Sequence, residues 1–346
     1  MATIRQISKH AQVSIATVSR VINNSKWVAE ATREKVLDAI NELGYRSNKT
    51  PGSIDSFRSN IVGLVVSDLS GPFFGDMMHN IEDVLRQEGR QMIVSNGHGD
   101  LSQEREAIHF LLKHHCDALI LHLDAMSDEE IIGFVQAQKT PVVLINRYIP
   151  ALAKNCIAMD NEQGGYLAAK SLLDRGHRKL VCLTGPLFKP DARSRFQGFR
   201  RAVEEYGLRF SEDRVVEADF NESSGAKAIS RILKRNLPFT GVVCGNDLMA
   251  IGAIRRLQEY QLKVPDDVSV VGYDDVMLAG YFQPSLATVR VPVNRMAQQA
   301  AKLAISLSQH QKCDINRIFK PDLVLRQSVK EQAFEVAEPG RVLLTG

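Results

Sequence analysis

The chain has one tryptophan, five cysteines, and no apolar run near the roughly 20 residues that a membrane-spanning helix needs. Cys116, Cys156, Cys182, Cys244 and Cys313 are odd in number and have no CxxC spacing. That argues against a disulfide framework or a zinc cluster, and for buried free thiols in a reducing compartment. The opening MATIRQISKH lacks the apolar stretch of a secretory leader. Neither export nor membrane insertion is expected, and the cytoplasm is the expected location. No GxGxxG follows a strand-like run, and neither GxxxxGK with a following Ser or Thr nor GxSxG occurs. Phosphate-loop and hydrolase chemistry thus have no motif to rest on; no cofactor and no enzyme activity are expected. His109, His114, His115 and Cys116 lie close together in sequence. Adjacent histidines on a helix point to different faces, so a solvated helix end fits better than a metal site.

Acidic residues are missing from the first 29 positions, where Arg5, Lys9, Arg20 and Lys26 all fall. Residues 1–60 carry nine Lys/Arg against five Asp/Glu, while the remainder carries 34 against 35. A basic head on a neutral body points to a polyanionic partner for the head. With 346 residues, 44% of them apolar, the chain is long enough for two or three domains with real cores.

The head reads as three short helices. Thr3 is placed to cap a first helix carrying Ile4, Ile7 and Ala11 on one side. Gln12 and Val13 make a turn, and Ser14 caps a second helix, residues 15–23, with Val18, Val21 and Ile22 on its apolar side. A third runs from about Glu30 to Leu43, with Ala31, Val36, Leu37, Ile40 and Leu43 as its buried stripe and Gly44 as its stop. Such a module buries little and suits DNA reading. From Asn60 onward, apolar strands such as IVGLVV, ALILHL and GVVCGN alternate with amphipathic helices in two successive series. That pattern predicts two lobes, each a parallel sheet covered by helices, with ligands bound where strands end at the crevice.

The run ATIRQISKHAQVSIATVSRVINN resembles the helix-turn-helix of the lactose/galactose repressor family. The body resembles that family's effector domain, itself similar to periplasmic sugar-binding proteins, through SDLSGPFFGDM, MDNEQGGYLAAKSLLDRGHRK, RSRFQGF, GNDLMAIGA and VSVVGYDD. FFGDM, EREAI, INRYIP and NCIAMDN are most like the galactose repressor branch. The implied fold is a small all-α head followed by an α/β, two-lobed, periplasmic-binding-protein-like domain with parallel sheets. The implied boundaries are 1–47 for the head, 48–60 for a hinge, 61–330 for the effector domain and 331–346 for a tail. The implied function is a repressor released from a palindromic operator by a small sugar, galactose or a related galactoside or glucoside. The alternative is a stand-alone sugar receptor, which the basic head disfavours.

In that family the second helix enters the major groove, which places Ile15, Ala16 and Arg20 at base-reading positions. Arg20 suits guanine O6 and N7, and the two apolar residues suit thymine methyls. Thr17, Ser19 and Asn23 suit phosphate oxygens. Trp27 lies either near the DNA backbone or in the head core. The resemblance lines the crevice with Asp68, Phe73, Asn146, Asp160, Arg195, Phe220, Asn246 and Asp274, and Phe74 is expected in the core. Carboxylates and amides pair with vicinal hydroxyls, an arginine donates in a fixed fork, and an aromatic face covers the C–H side of a pyranose. Gly71 stands where the family has Asn or Asp, which removes one hydroxyl-binding side chain.

The family acts as a dimer on two half-sites. The tail EQAFEVAEPGRVLLTG offers no heptads for a tetramer, so a homodimer is expected. Ile54 in the linker NKTPGSIDSF falls at the family's minor-groove wedge position. Gly52 costs a hinge helix about 1 kcal/mol, so a plain tether stays open beside the wedge.

Overall fold

Thr3 begins the first of three helices by a reciprocal cap. Its Oγ1 accepts from Gln6 N at 3.3 Å, while Gln6 Oε1 accepts from Thr3 N at 2.7 Å. The helices are α1 (Ile4–His10), α2 (Ile15–Ile22) and α3 (Glu30–Glu42). This computed structural model describes residues 3–22, 25, 27–43 and 59–332. Asn23, the linker with Ile54, and residues 333–346 of the tail lie outside the described residues. Ser14 Oγ accepts from Thr17 N at 3.0 Å to start α2. Ile7, Ala11, Val18, Val21, Val36 and Ala39 form the head core. The stripe of α3 differs from the expected one: Ala39 is buried, whereas Ala31 and Leu37 are exposed. Val36 and Ala39 are three apart and face α1 and α2, which turns Leu37 outward.

The body forms a separate unit from Asn60 onward. Its first sheet contains β1 (Ile61–Val66), β2 (Gln91–Asn96), β3 (Ala118–Leu121), β4 (Val142–Ile145), β5 (Cys156–Met159) and β11 (Ile318–Phe319), in the order β11-β5-β4-β3-β1-β2. The second contains β6 (Leu180–Thr184), β7 (Val215–Glu217), β8 (Gly241–Cys244), β9 (Ser269–Asp274), β10 (Ala287–Arg290) and β12 (Asp322–Val324), in the order β12-β10-β9-β8-β6-β7. Every pairing is parallel except β10 with β12. Central strands such as ALIL in β3 are buried at every position, as sheets covered on both faces require.

The two lobes are not two consecutive halves of the chain. After β10 in the second sheet, α12 (Val293–Ser308) packs on α4 (Pro72–Gln87) of the first lobe. β11 then joins the first sheet, and β12 returns to the second. Three crossings therefore connect the lobes beside their crevice. The thiols also depart from expectation at one place: four cysteines are buried, but Cys313 is only half-buried.

Candidate functional site

On the head, α2 divides cleanly into two sides. Val18 and Val21 are 0% and 4% exposed, while Ile15, Ala16 and Arg20 point to solvent. Ser19 and Thr17 are half-buried, and Thr17 Oγ1 lies 2.8 Å from Ser14 Oγ, so that hydroxyl is engaged in the cap. Trp27 is 92% exposed, which removes it from the head core. An exposed guanidinium beside two exposed apolar side chains on one helix can present to base edges in a major groove. Replacing Arg20 by alanine is expected to weaken specific operator binding by about 1–3 kcal/mol and to leave nonspecific binding nearly unchanged. Competition against random duplex at fixed salt checks this, and an equal loss on both DNAs would make Arg20 a phosphate contact.

On the body, the carboxyl ends of both sheets face one crevice. A cleft of about 360 Å³ there is bordered by Asp68, Phe73, Arg195, Phe220, Asn246 and Asp274, six of the eight expected residues. Asp68 follows β1, and one of its oxygens accepts from Ser70 N at 2.7 Å. Asn246 caps α10 (Asp247–Glu259): its Oδ1 accepts from Met249 N and its Nδ2 donates to Phe220 O, each at 2.9 Å. That second bond holds Phe220 at a φ of +57°, a left-handed conformation that an aromatic residue seldom adopts. Asp274 also has positive φ, at +106°, and such strained residues gather at ligand sites.

Arg195 is the centre of the cleft. It lies on α8 (Pro190–Glu205) and is 7% exposed. Its Nε donates to Asn161 Oδ1 at 3.0 Å and its Nη1 to Gly245 O at 2.7 Å. Nη1 also lies 3.3 Å from Asp274 Oδ1, and Nη2 lies 3.5 Å from Asp191 Oδ2. The guanidinium stacks 3.8 Å from the centre of the Tyr273 ring. Burial, reinforced by the nearby Asp191 carboxylate, pushes the Asp274 carboxyl up to about 7, although Arg195 pulls the other way. Asp274 Oδ1 is buried, with no well-aligned hydrogen bond beside its ion pair with Arg195, and the residue borders the cleft. Below it, Asp247 is fully buried; it accepts from Thr288 Oγ1 at 2.6 Å and Val276 N at 2.9 Å, and so fixes the segment that carries Asp274.

The other two expected residues line another part of the crevice. Asn146 and Asp160 border a second chamber, not the cleft of Arg195. Asp160 caps α7 (Asn161–Leu173) by accepting from Gln163 N at 2.9 Å. Asn146 is buried at the lobe junction; its Oδ1 accepts from Asn161 Nδ2 at 3.3 Å. Phe74 packs on the core as expected, and it also borders the cleft together with Phe73. Both sit in the first turn of α4, whose end points at the crevice, and their rings meet edge to face at 5.3 Å. Gly71, just before that turn, has a φ of +98°, a conformation that a side chain in its place would strain. Sequence reasoning missed His122, Asp124, Lys189 and Asp191 on the cleft wall. His122 and Asp124 follow β3, while Lys189 and Asp191 stand at the start of α8, and those positions were the only available signals for them.

A surface-reading helix on a small basic head, joined to a two-lobed ligand-binding body, defines a DNA-binding transcriptional regulator controlled by a small molecule. Residues 3–48 match the model for bacterial regulatory proteins of the lacI family, and residues 169–329 match the periplasmic binding protein-like domain. The chain is 38% identical over 338 residues to the HTH-type transcriptional regulator GalR of Escherichia coli K12, covering 97% of this chain and 98% of GalR. It is 37% identical to GalS of Salmonella typhimurium, over 95% of this chain and 97% of GalS. Among solved structures, the Lac repressor dimer bound to operator and an anti-inducer aligns with a TM-score of 0.74 at 27% identity, over 95% of this chain and 99% of that one. The chain belongs to the lacI family of bacterial transcriptional regulators.

Proposed function

We propose that this chain is a homodimeric repressor that binds a palindromic operator through Ile15, Ala16 and Arg20 and releases it when a pyranose, galactose or a close galactoside or glucoside, enters the body cleft. Thr17, Ser19, Asn23 and Ile54 complete the proposed DNA surface, on residues 1–60 that comprise the head and hinge. The cytoplasm is its proposed place of action, and no catalysis is assigned to it. The cleft chemistry carries this reading: a buried, pre-oriented arginine paired with the Asp274 carboxyl, with Phe73, Phe74 and Phe220 on the walls. That set matches alternating hydroxyls and the apolar face of a sugar. The likeness to GalR and GalS supports galactose. A thermal-shift screen of mono- and disaccharides tests it, since a ligand of the native state raises stability by mass action. Galactose or a near relative is expected to give the largest rise; a screen in which no sugar shifts the midpoint contradicts the reading.

The Asp274 carboxyl gives the cleft a pH dependence. Its native value of about 7 exceeds the unfolded 3.8, so between those values the native state holds a proton that the unfolded state has released. Its contribution to stability therefore falls as pH rises from about 4 to about 7. Sugar hydroxyls donate best to the ionised form. Affinity is thus expected to drop about ten-fold per pH unit below about 7. Calorimetric titrations from pH 5 to 8 check this, with Asp274→Asn expected to show a flat profile. A sloping profile in that variant would assign the proton elsewhere.

A further inference from the structure

The crevice between the lobes holds two chambers. One is the cleft of Arg195, about 360 Å³; the other, about 810 Å³, lies toward Arg147, Asp160 and Phe188. Asp124 and Asp191 border both chambers, and each is tied to the opposite lobe. Asp124, just after β3 of the first lobe, lies 2.8 Å from Lys189 Nζ of the second. Asp191, at the start of α8 in the second lobe, accepts from Asn146 Nδ2 of the first at 3.5 Å. We infer that these two ties form a partition that confines the ligand to a single sugar ring, with Lys189 as its removable bar and hence a specificity-determining residue. The inference rests on the pyranose reading of the cleft.

Asp124 is the fixed post. Glu104 on α5 (Leu101–Lys113), itself 1% exposed, accepts from the backbone N–H groups of Asp124, Ala125 and Met126 at 2.7, 2.9 and 2.9 Å. Burial alone would raise the Asp124 carboxyl, but His122 and Lys189 hold it below the usual carboxylate range, so the post is charged. Lys189 is the other side. It precedes α8 on irregular backbone, and its ammonium reaches Asp124 past the Phe220 ring, 5.8 Å from the ring centre. A four-carbon stem ends in a single point charge, placed by the ion pair with Asp124 and the face of the Phe220 ring. The volumes agree with this division. A chamber of about 360 Å³ is near the lower end of ligand pockets, which run from roughly 300 to 1,000 Å³, and the two chambers joined exceed that range.

Calorimetry of the full-length protein with galactose and glucose, and with lactose, melibiose and cellobiose, tests the partition. The wild type is expected to bind a monosaccharide and to disfavour the disaccharides by about ten-fold or more. Lys189→Ala is expected to reverse or abolish that preference, and Lys189→Arg to retain it. Because Lys189→Ala strands a buried carboxylate, Lys189→Ala with Asp124→Asn serves as the folded counterpart with neither charge. A merely structural ion pair would lower affinity for both ring counts in proportion and leave their ratio alone. An unchanged ratio in the double variant, or a wild type that prefers a disaccharide, overturns the partition while leaving the sugar reading intact. A wild type that binds neither class overturns both.

Discussion

Replacing Arg195 by alanine is expected to give a protein that still binds operator DNA and no longer answers to sugar. The guanidinium neutralises Asp191 and Asp274, stacks on Tyr273, and ties the α7 residue Asn161 to Gly245 at the end of β8. Its loss leaves Asp191 without that partner and pushes the buried Asp274 carboxyl still higher, and breaking a buried pair costs about 3–5 kcal/mol. Part of that loss appears as a lower melting temperature and part as sugar affinity reduced by about 100-fold or more. Arg195→Lys separates the two effects, since it keeps the charge but cannot hold several acceptors in one plane. That variant is expected to fold more stably than the alanine variant and to bind sugar almost as poorly. Calorimetry beside operator binding checks both; wild-type sugar affinity in a folded alanine variant would remove Arg195 from the site.

Gly165→Ala is expected to lower stability by at least about 3 kcal/mol. A Cβ at Gly165 would lie 1.8 Å from the Arg195 carbonyl oxygen and within 2.8 Å of its Cα. These are backbone atoms, so no rotamer change relieves the clash, and α7 and α8 must move apart. Gly198 answers from the other helix, where a Cβ would lie 1.9 Å from the Glu162 carbonyl oxygen. The two helices therefore touch backbone to backbone, and this contact sets the height at which Arg195 enters the cleft. Urea denaturation is expected to show the loss, with sugar affinity falling in parallel. A midpoint equal to that of the wild type would mean a looser crossing.

Where a local rule decides structure, the sequence was readable. The caps at Thr3 and Ser14, the split of α2 between Val18 and Arg20, and the alternation of apolar strands with helices all follow from spacing a few residues long. What depended on distant parts of the chain was not. Nothing local says that α12 packs on α4, more than 200 residues earlier, or that β11 and β12 enter different sheets. The same holds in the cleft. Asp274 and Arg195 were reached by resemblance, but Lys189 and Asp124 meet only because the lobes face each other. Asn146 and Asp160 stand at strand ends like the others, yet their strands open toward the second chamber. Phe74 was half legible: it packs on the core, but two neighbours in a first helical turn can both border a crevice when the helix points into it.

An occupied cleft and a released operator are expected to be linked. The direct measurement is fluorescence anisotropy of a labelled duplex, selected by the protein from a randomised palindromic pool, first saturated with protein and then titrated with galactose. Tight, salt-dependent binding is expected, followed by release at the sugar concentrations that half-saturate the cleft in calorimetry. A sugar that fills the cleft by calorimetry and leaves the anisotropy at its bound value would contradict the account.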